Sequence, residues 1–466
     1  MSNFDLGLVG LGVMGANLAQ NFADHGVSLA LLDTDKAATT RLAGLLGPRA
    51  HAAADARELV ANLSKPQAVF LMVPAGKPVD DALAELLPLL SPGAIIIDGG
   101  NSHYLDTVRR AGVCAKHQVE FCGTGVSGGA EGARRGPAVM AGGSEDAYRR
   151  VGPWLEAIAA KVGNEPCCAR IGPDGAGHFV KMVHNGIEYA VMQLIAEAYA
   201  VMRDLLHLDR TTLHGIFSGW ATEQGSYLLE CTVDVLGAVD GGTGKPLVDL
   251  IEDTAEQKGT GRWATEAALL FGVPTPTLGE AVMARALSAG RKERRRLAEA
   301  LGPLPGVFKG DNDALLAAID PALQVATLVA YDQGFQLIAA GSVEHKWSID
   351  RAAVARLWRG GCIVRSNFLA PIAAAYAADG ARHTLFDHPP LREVLRSGEA
   401  AWRALVASAV ASGVAVPAFG SALSWLDAWR TARLPTNMIA GQRDVFGQHG
   451  FTRLDRGGRH HGSWSH

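Results

Sequence analysis

The chain has 466 residues, 48% of them hydrophobic and 19% charged, with a formal net charge of −4. This is globular composition with length for two or three domains, and a mildly acidic balance gives nucleic acid or an anionic membrane no electrostatic reason to be the main partner. Six cysteines without a C-x-x-C pair read as reduced packing thiols in a cytoplasmic protein, and neither a secretory leader nor an apolar run long enough to span a bilayer is expected.

Residues 4–9, "FDLGLV", predict a strand, and "GLGVMGANLAQNFADHG" turns from it into a helix ending near Gly26. Further strands are expected in "VSLALL" (27–32), "AVFLMVP" (68–74), "AIIIDGG" (94–100) and "VEFCGTG" (119–125). Strands alternating with helical stretches imply βαβ crossovers and a mostly parallel sheet. The alternation ends near "GPDGAG" at 172–177, and from there to about residue 430 Ala, Leu, Glu and Arg recur at helical spacing. The expected architecture is an α/β Rossmann-like domain over 1–176, a large all-α domain over 177–432, and a short helix with an extended tail over 433–466.

Gly10-x-Gly12-x-x-Gly15, with Leu11, Val13 and Met14 between the glycines, stands where a strand gives way to a helix. There glycines permit a tight turn and let a pyrophosphate approach the helix N-terminus. The same spacing also serves a tight turn without a ligand. Asp33 ends the second strand about twenty residues beyond the glycines, where a carboxylate accepts from the ribose hydroxyls of NAD and repels the 2′-phosphate of NADP, or is simply a solvated turn acid. Asp35 adds negative charge, while Lys36 and Arg41 could offset it by folding back.

In "HFVKMVHNGIEYAV" (178–191), Lys181, His184, Asn185 and Glu188 fall at i, i+3, i+4 and i+7 and share a helical face. Phe179, Val180, Met182, Val183, Ile187 and Val191 cover much of the remainder. The spacing fits a functional face and equally the wet side of an amphipathic helix. Other motifs carry less. "GGTGKP" (241–246) ends like a phosphate loop but has Val239 in place of the first glycine and proline after the lysine. "RKERRR" (291–296) reads as a solvated helix end, and His460 and His461 lack companions at metal-ligand spacing, so no metal is expected.

"GLVGLGVMGANLA", "DGGNS", "GTGVSGGAEGARRGPAVMAGG", "KMVHNGIEYAVMQLIAEAY", "EQKGTGRW", "AVMARALS", "GGCIVRSNFL" and "LPTNMIAGQRDVFGQHGF", taken in order over essentially the whole chain, resemble the decarboxylating 6-phosphogluconate dehydrogenases. The resemblance implies oxidation of 6-phosphogluconate and release of CO2, a step of the pentose phosphate pathway, by a nicotinamide coenzyme without metal. It implies Lys181 as general base and Glu188 as general acid. Asn101, Ser127, Gly128, Gly129, His184 and Asn185 match residues that hold the sugar acid. Tyr189, Lys258, Arg285 and Arg443 match the phosphate pocket, with His449 beside it. Gly10, Leu11, Gly12, Val13, Met14, Gly15, Asp33, Val73, Pro74, Ala75 and Asn101 would line the coenzyme. In the family the tail reaches the neighbouring subunit, which implies a homodimer whose sites share Arg443 and His449.

Departures from the family concern the coenzyme. NADP-using relatives typically carry Asn-Arg-Thr after the second strand and Val-Lys-Ala near the coenzyme. This chain has Asp33-Thr34-Asp35 and Val73-Pro74-Ala75, which remove positive charge and add negative, so NAD is expected, with NADP or dual coenzyme use as the alternative. Ala130 replaces the family's usual first glutamate after the paired glycines. Two rivals are a related enzyme acting on another, unphosphorylated hydroxyacid and a catalytically silent NAD-binding scaffold. The cations at 258, 285 and 443 argue against the first, and the intact catalytic positions against the second.

Overall fold

A computed structural model describes residues 4–257, 259–302 and 308–464. The N-terminal part carries β1 (Leu6–Val9), β2 (Leu29–Leu32), β3 (Ala50–Ala52), β4 (Ala68–Leu71), β5 (Ile95–Asp98), β6 (Glu120–Ser127) and β7 (Ala138–Gly142), then the hairpin β8 (Lys161–Val162) and β9 (Glu165–Pro166), then β10 (Cys168–Gly172). Eight of them form one sheet in the order β10-β7-β6-β5-β4-β1-β2-β3. Every neighbouring pair is parallel except β6 and β7. All four residues of β2, β4 and β5 are buried, which is why these strands read as unbroken apolar runs rather than alternating ones.

Strands β4 and β5 stop short of the expected runs because Met72–Pro74 and Gly99–Gly100 leave the sheet as loops at its carboxyl edge, whereas β6 runs on to Ser127. Three sheet strands escaped the sequence reading. β3 is three residues long, and β7 and β10 lie among glycines that blur their pattern. Strand order reverses at β1, whose neighbours are β2 and β4. The carboxyl ends of β1 and β4 therefore splay apart and leave the crevice that open α/β sheets offer to a ligand.

The helix Ala176–Asp204 leaves β10 and lies across β6 and β7. It comes so close that a Cβ on Gly125 of β6 would overlap the Cβ of Lys181, and one on Gly177 would overlap the carbonyls of Gly123 and Met140. The 33-residue helix Asn312–Glu344 packs against it and against Pro389–Ala411. By length and composition alone Asn312–Glu344 could cross a membrane, contrary to the expectation that no such segment exists. Here its apolar length, including Leu328, Val329, Phe335 and Ile338, is the buried centre of the helical domain. Helix Arg291–Leu301 has no buried residue, as a solvated helix end should.

The tail is less extended than expected. Helix Thr436–Gly447 is followed by the hairpin β11 (Phe451–Thr452) and β12 (Arg459–His460). Buried Asp444 organises it by accepting from the Gly450 amide at 2.8 Å, the Gly462 amide at 2.9 Å, the Trp464 indole at 2.8 Å and His461 at 2.7 Å.

Because the helix contact leaves no room at Gly125, Gly125→Ala should cost about 1–3 kcal/mol, as overpacked cores do, measured by urea unfolding. Unchanged stability would mean the two elements separate freely.

Candidate active site

At the end of β1, Gly10 takes φ +93°, and a Cβ there would stand 2.5 Å from the Met72 carbonyl. Gly15 likewise leaves no space beside the Gly10 carbonyl. Gly12 differs, since nothing in the protein lies within 4 Å of where its Cβ would be. It precedes the helix Val13–Asp24, which has no side-chain cap. Open space before uncapped amides suits the pyrophosphate of a dinucleotide, so the residues present fit such a coenzyme.

Asp33 fastens this loop. Its Oδ2 accepts from the Leu11 amide at 2.5 Å, and its Oδ1 accepts from the Asp35 amide at 2.8 Å and the Thr34 hydroxyl at 3.2 Å. Burial alone would raise its pKa, but these hydrogen bonds outweigh it and hold the carboxyl below its ordinary value. Of the two cations that could offset it, Lys36 donates to the Ala54 carbonyl at 2.5 Å, while Arg41 folds back to within 3.9 Å of Asp35. Pro74 and Ala75 beyond β4 and Asn101 beyond β5 are exposed, with Val73 half-buried. One side chain that sequence reasoning missed, Arg110, ties the two loops together. Wholly buried, it donates to the Gly76 carbonyl at 2.9 Å, to Asp80 at 2.9 Å and to Ser102 at 3.2 Å. Ser102 in turn donates to Asp98 at 2.6 Å.

The polar face of helix Ala176–Asp204 is not a wet face. Lys181, His184 and Asn185 are buried, and Glu188 is half-buried. Lys181 Nζ lies 3.4 Å from His184 Nδ1, which also faces Asn185 Oδ1 at 2.9 Å and Glu188 Oε2 at 3.8 Å. Asn185 donates to Thr260 at 3.1 Å. The other ring nitrogen, Nε2, faces Ser127 Oγ at 3.0 Å and Cys362 Sγ at 2.9 Å. Gly128 and Gly129, both with positive φ, turn the chain from β6 into helix Gly129–Arg135 beneath the Gly361 carbonyl, which a Cβ on Gly128 would meet at 2.7 Å. Nothing in the spacing announced Cys362 or Thr260; both arrive from distant segments.

Burial drives the titration of this cluster. It lowers the pKa of Lys181 against the opposing pull of Glu188 and Cys362. It raises that of Glu188 against Lys181 and Arg285, and with Lys181 it takes His184 well below its ordinary value. An amine inclined to be neutral beside a carboxyl inclined to be protonated is a base and an acid held ready together. Next to them, the Arg285 guanidinium stacks on the Tyr189 ring at 3.4 Å and donates to the Glu256 carbonyl at 3.2 Å. Arg443 and His449 are exposed on the tail, and the single chain does not bring them to this cluster. Lys258 lies outside the described residues. Among the described residues no cluster of His, Cys, Asp and Glu could hold a metal.

Comparison with known proteins matches residues 5–172 to the NAD binding domain of 6-phosphogluconate dehydrogenase and 177–464 to the C-terminal domain of the same enzyme. The chain belongs to the decarboxylating 6-phosphogluconate dehydrogenase family. A family member from Synechococcus elongatus is 44% identical over 98% of both chains. One from Bacillus subtilis, named NADP(+)-dependent, is 43% identical over the full length of both. The structure of the Plasmodium falciparum enzyme, described in apo form and with its cofactor NADP+ and its substrate 6-phosphogluconate, superposes with a TM-score of 0.94 at 36% identity, covering 99% of this chain and 100% of that one. The family's two-part architecture is thus the one described above.

Keeping Lys181 in this site costs stability. Below its ordinary pKa of 10.5 the unfolded chain holds the lysine proton more readily than the folded one, so this group's contribution to stability rises with pH between the lowered value and 10.5. Lys181→Met should therefore melt higher than the native protein at pH 7, with the gap narrowing as pH rises. A lower melting point would identify the lysine as part of a stabilising ion pair instead.

Proposed function

We propose that this chain oxidises and decarboxylates 6-phospho-D-gluconate to D-ribulose 5-phosphate and CO2, with NAD as preferred coenzyme, working in the cytoplasm as a homodimer. The observation that carries the reading is the desolvated Lys181–His184–Asn185–Glu188 cluster in a chain matched to the family in both parts.

A nicotinamide dinucleotide held by the glycine loop, Asp33 and Asn101 would supply the hydride acceptor. Neutral Lys181 takes the proton of the substrate's secondary hydroxyl as the alcohol becomes a ketone. The ammonium so formed then polarises the carbonyl of the β-keto acid, which lets CO2 leave and gives an enol. Glu188, whose protonated form burial favours, delivers its proton to carbon while the enol hydroxyl gives its proton to Lys181, which yields the ketose. Ser127, His184 and Asn185 orient the sugar acid. Arg285, already ordered on Tyr189 and with no carboxylate partner among the described residues, suits the phosphate dianion.

The coenzyme reading departs from the relatives named with NADP. It rests on Asp33, whose carboxylate has about four acceptor sites and uses three of them within the protein, leaving one for a ribose hydroxyl. A 2′-phosphate would meet the carboxylates of Asp33 and Asp35, and Arg41, 3.9 Å from Asp35, offsets one of these two charges. Exposed Met438, Ile439, Phe446 and Leu454 on the tail support docking on a second subunit, where Arg443 and His449 would complete the phosphate pocket.

Measured kcat/KM on 6-phosphogluconate should favour NAD over NADP on the order of a hundredfold, with Asp33→Asn narrowing the gap and Glu188→Gln slowing ketose phosphate formation. A preference for NADP would overturn the coenzyme assignment, and no turnover with either would overturn the substrate. Shared sites have their own test. Lys181→Met and Arg443→Ala should each be nearly inactive alone, and dissociated and reassociated together they should regain activity neither has. Failure to complement would place each site within one chain.

A further inference from the structure

Cys362 lies on the segment that crosses over β6, where the Gly361 carbonyl accepts from the Ala138 amide at 2.7 Å and the Ile363 amide reaches Ser127 Oγ at 3.4 Å. The thiol is buried, and its sulfur stands 2.9 Å from His184 Nε2. We propose that Cys362 is a positioning residue for catalysis: its S–H holds Nε2 of His184 when the Ser127 hydroxyl turns to substrate, and so keeps the imidazole in the tautomer that leaves Lys181 free to accept a proton. The inference rests on the reading of Lys181 as base given above.

The tautomer follows from the partners. Asn185 presents its oxygen to His184 Nδ1 at 2.9 Å because its amide nitrogen is committed to Thr260 at 3.1 Å. An amide oxygen only accepts, so Nδ1 carries the hydrogen and Nε2 the lone pair. Two donors compete for that lone pair, Ser127 at 3.0 Å and Cys362. Ser127 has one proton to give, and a bound carboxylate or hydroxyl of the sugar acid would claim it. Cys362 then remains as the donor.

A cysteine and a histidine at this distance could instead be a thiolate–imidazolium pair, the arrangement of a nucleophile. Burial argues otherwise, pushing the thiol up to about 12 while it drives His184 down, with the neighbouring lysine adding to the effect. Both groups are neutral, and sulfur donates. With the opposite tautomer, the Nδ1 lone pair would oppose the Asn185 oxygen and accept from the Lys181 amine 3.4 Å away, which favours the ammonium. The charged and titratable groups facing this pair are Lys181 and Glu188 on the same helix, Tyr331 on helix Asn312–Glu344, and Arg285 acting on Glu188 from helix Pro276–Ala289.

The test compares Cys362→Ala and Cys362→Ser with the native enzyme in kcat against pH on 6-phosphogluconate, together with ¹⁵N-histidine spectra of the substrate complex. Cys362→Ala should move the acidic limb to higher pH and lower kcat at pH 7 on the order of tenfold, a fraction of what a general base contributes. Substrate Kd should stay put, and the His184 Nε2 resonance should leave the lone-pair range. Cys362→Ser, which keeps a donor in nearly the same volume, should restore most of the rate and the resonance. An unchanged limb and resonance in Cys362→Ala, with Lys181→Met inactive, would overturn the Cys362 role alone. Turnover by Lys181→Met would overturn the lysine reading and this inference with it.

Discussion

An amine can act as a base near neutral pH only when its ammonium is denied water, and the desolvation of Lys181 is the constraint on which the rest of the arrangement depends. The helix that carries it presses onto β6 at Gly125 and onto the β6–β7 edge through Gly177, so the lysine stem has sheet on one side. The crossing segment with Gly361 and Cys362 covers His184 and Ser127 from above. The long helix Asn312–Glu344 fills the space behind with apolar side chains. Glycines in β6 thus serve the chemistry by letting the helix come close.

The same burial acts in opposite senses on the two ends of the polar face. It lowers Lys181 and raises Glu188, which suits the one to take a proton and the other to give one. Between them His184 is kept neutral and is held at both nitrogens. A neutral histidine in a fixed tautomer is a directional hydrogen-bonding group, and direction is what a cluster of exchangeable protons otherwise lacks.

The coenzyme side is organised by hydrogen bonds in a wetter place. Asp33 is half-buried and joins the end of β2 to the glycine loop after β1, while Arg110 joins the loop after β4 to the loop after β5. These two devices hold the crevice at the reversal of strand order. In the proposed NAD reading the carboxylate that braces the loop is also the one that selects between ribose hydroxyls and a phosphate, so a substitution made there to change coenzyme preference would disturb the brace.

Much of this was legible in the chain itself. The glycine spacing, the acid at the end of the second strand, the helical domain after residue 177 and the shared face of Lys181, His184, Asn185 and Glu188 all follow from local periodicity, which depends only on residues near one another. What local pattern cannot express is which side of that face meets water. Spacing left a wet face and a functional face equally open, and only packing against β6 and the crossing segment made it a buried one. Cys362, Thr260 and Arg110 were invisible for the same reason, since their partners lie tens to hundreds of residues away. The apolar length of Asn312–Glu344 shows the limit from the other direction: composition suits it equally to a membrane or a core, and the neighbouring helices decide for the core.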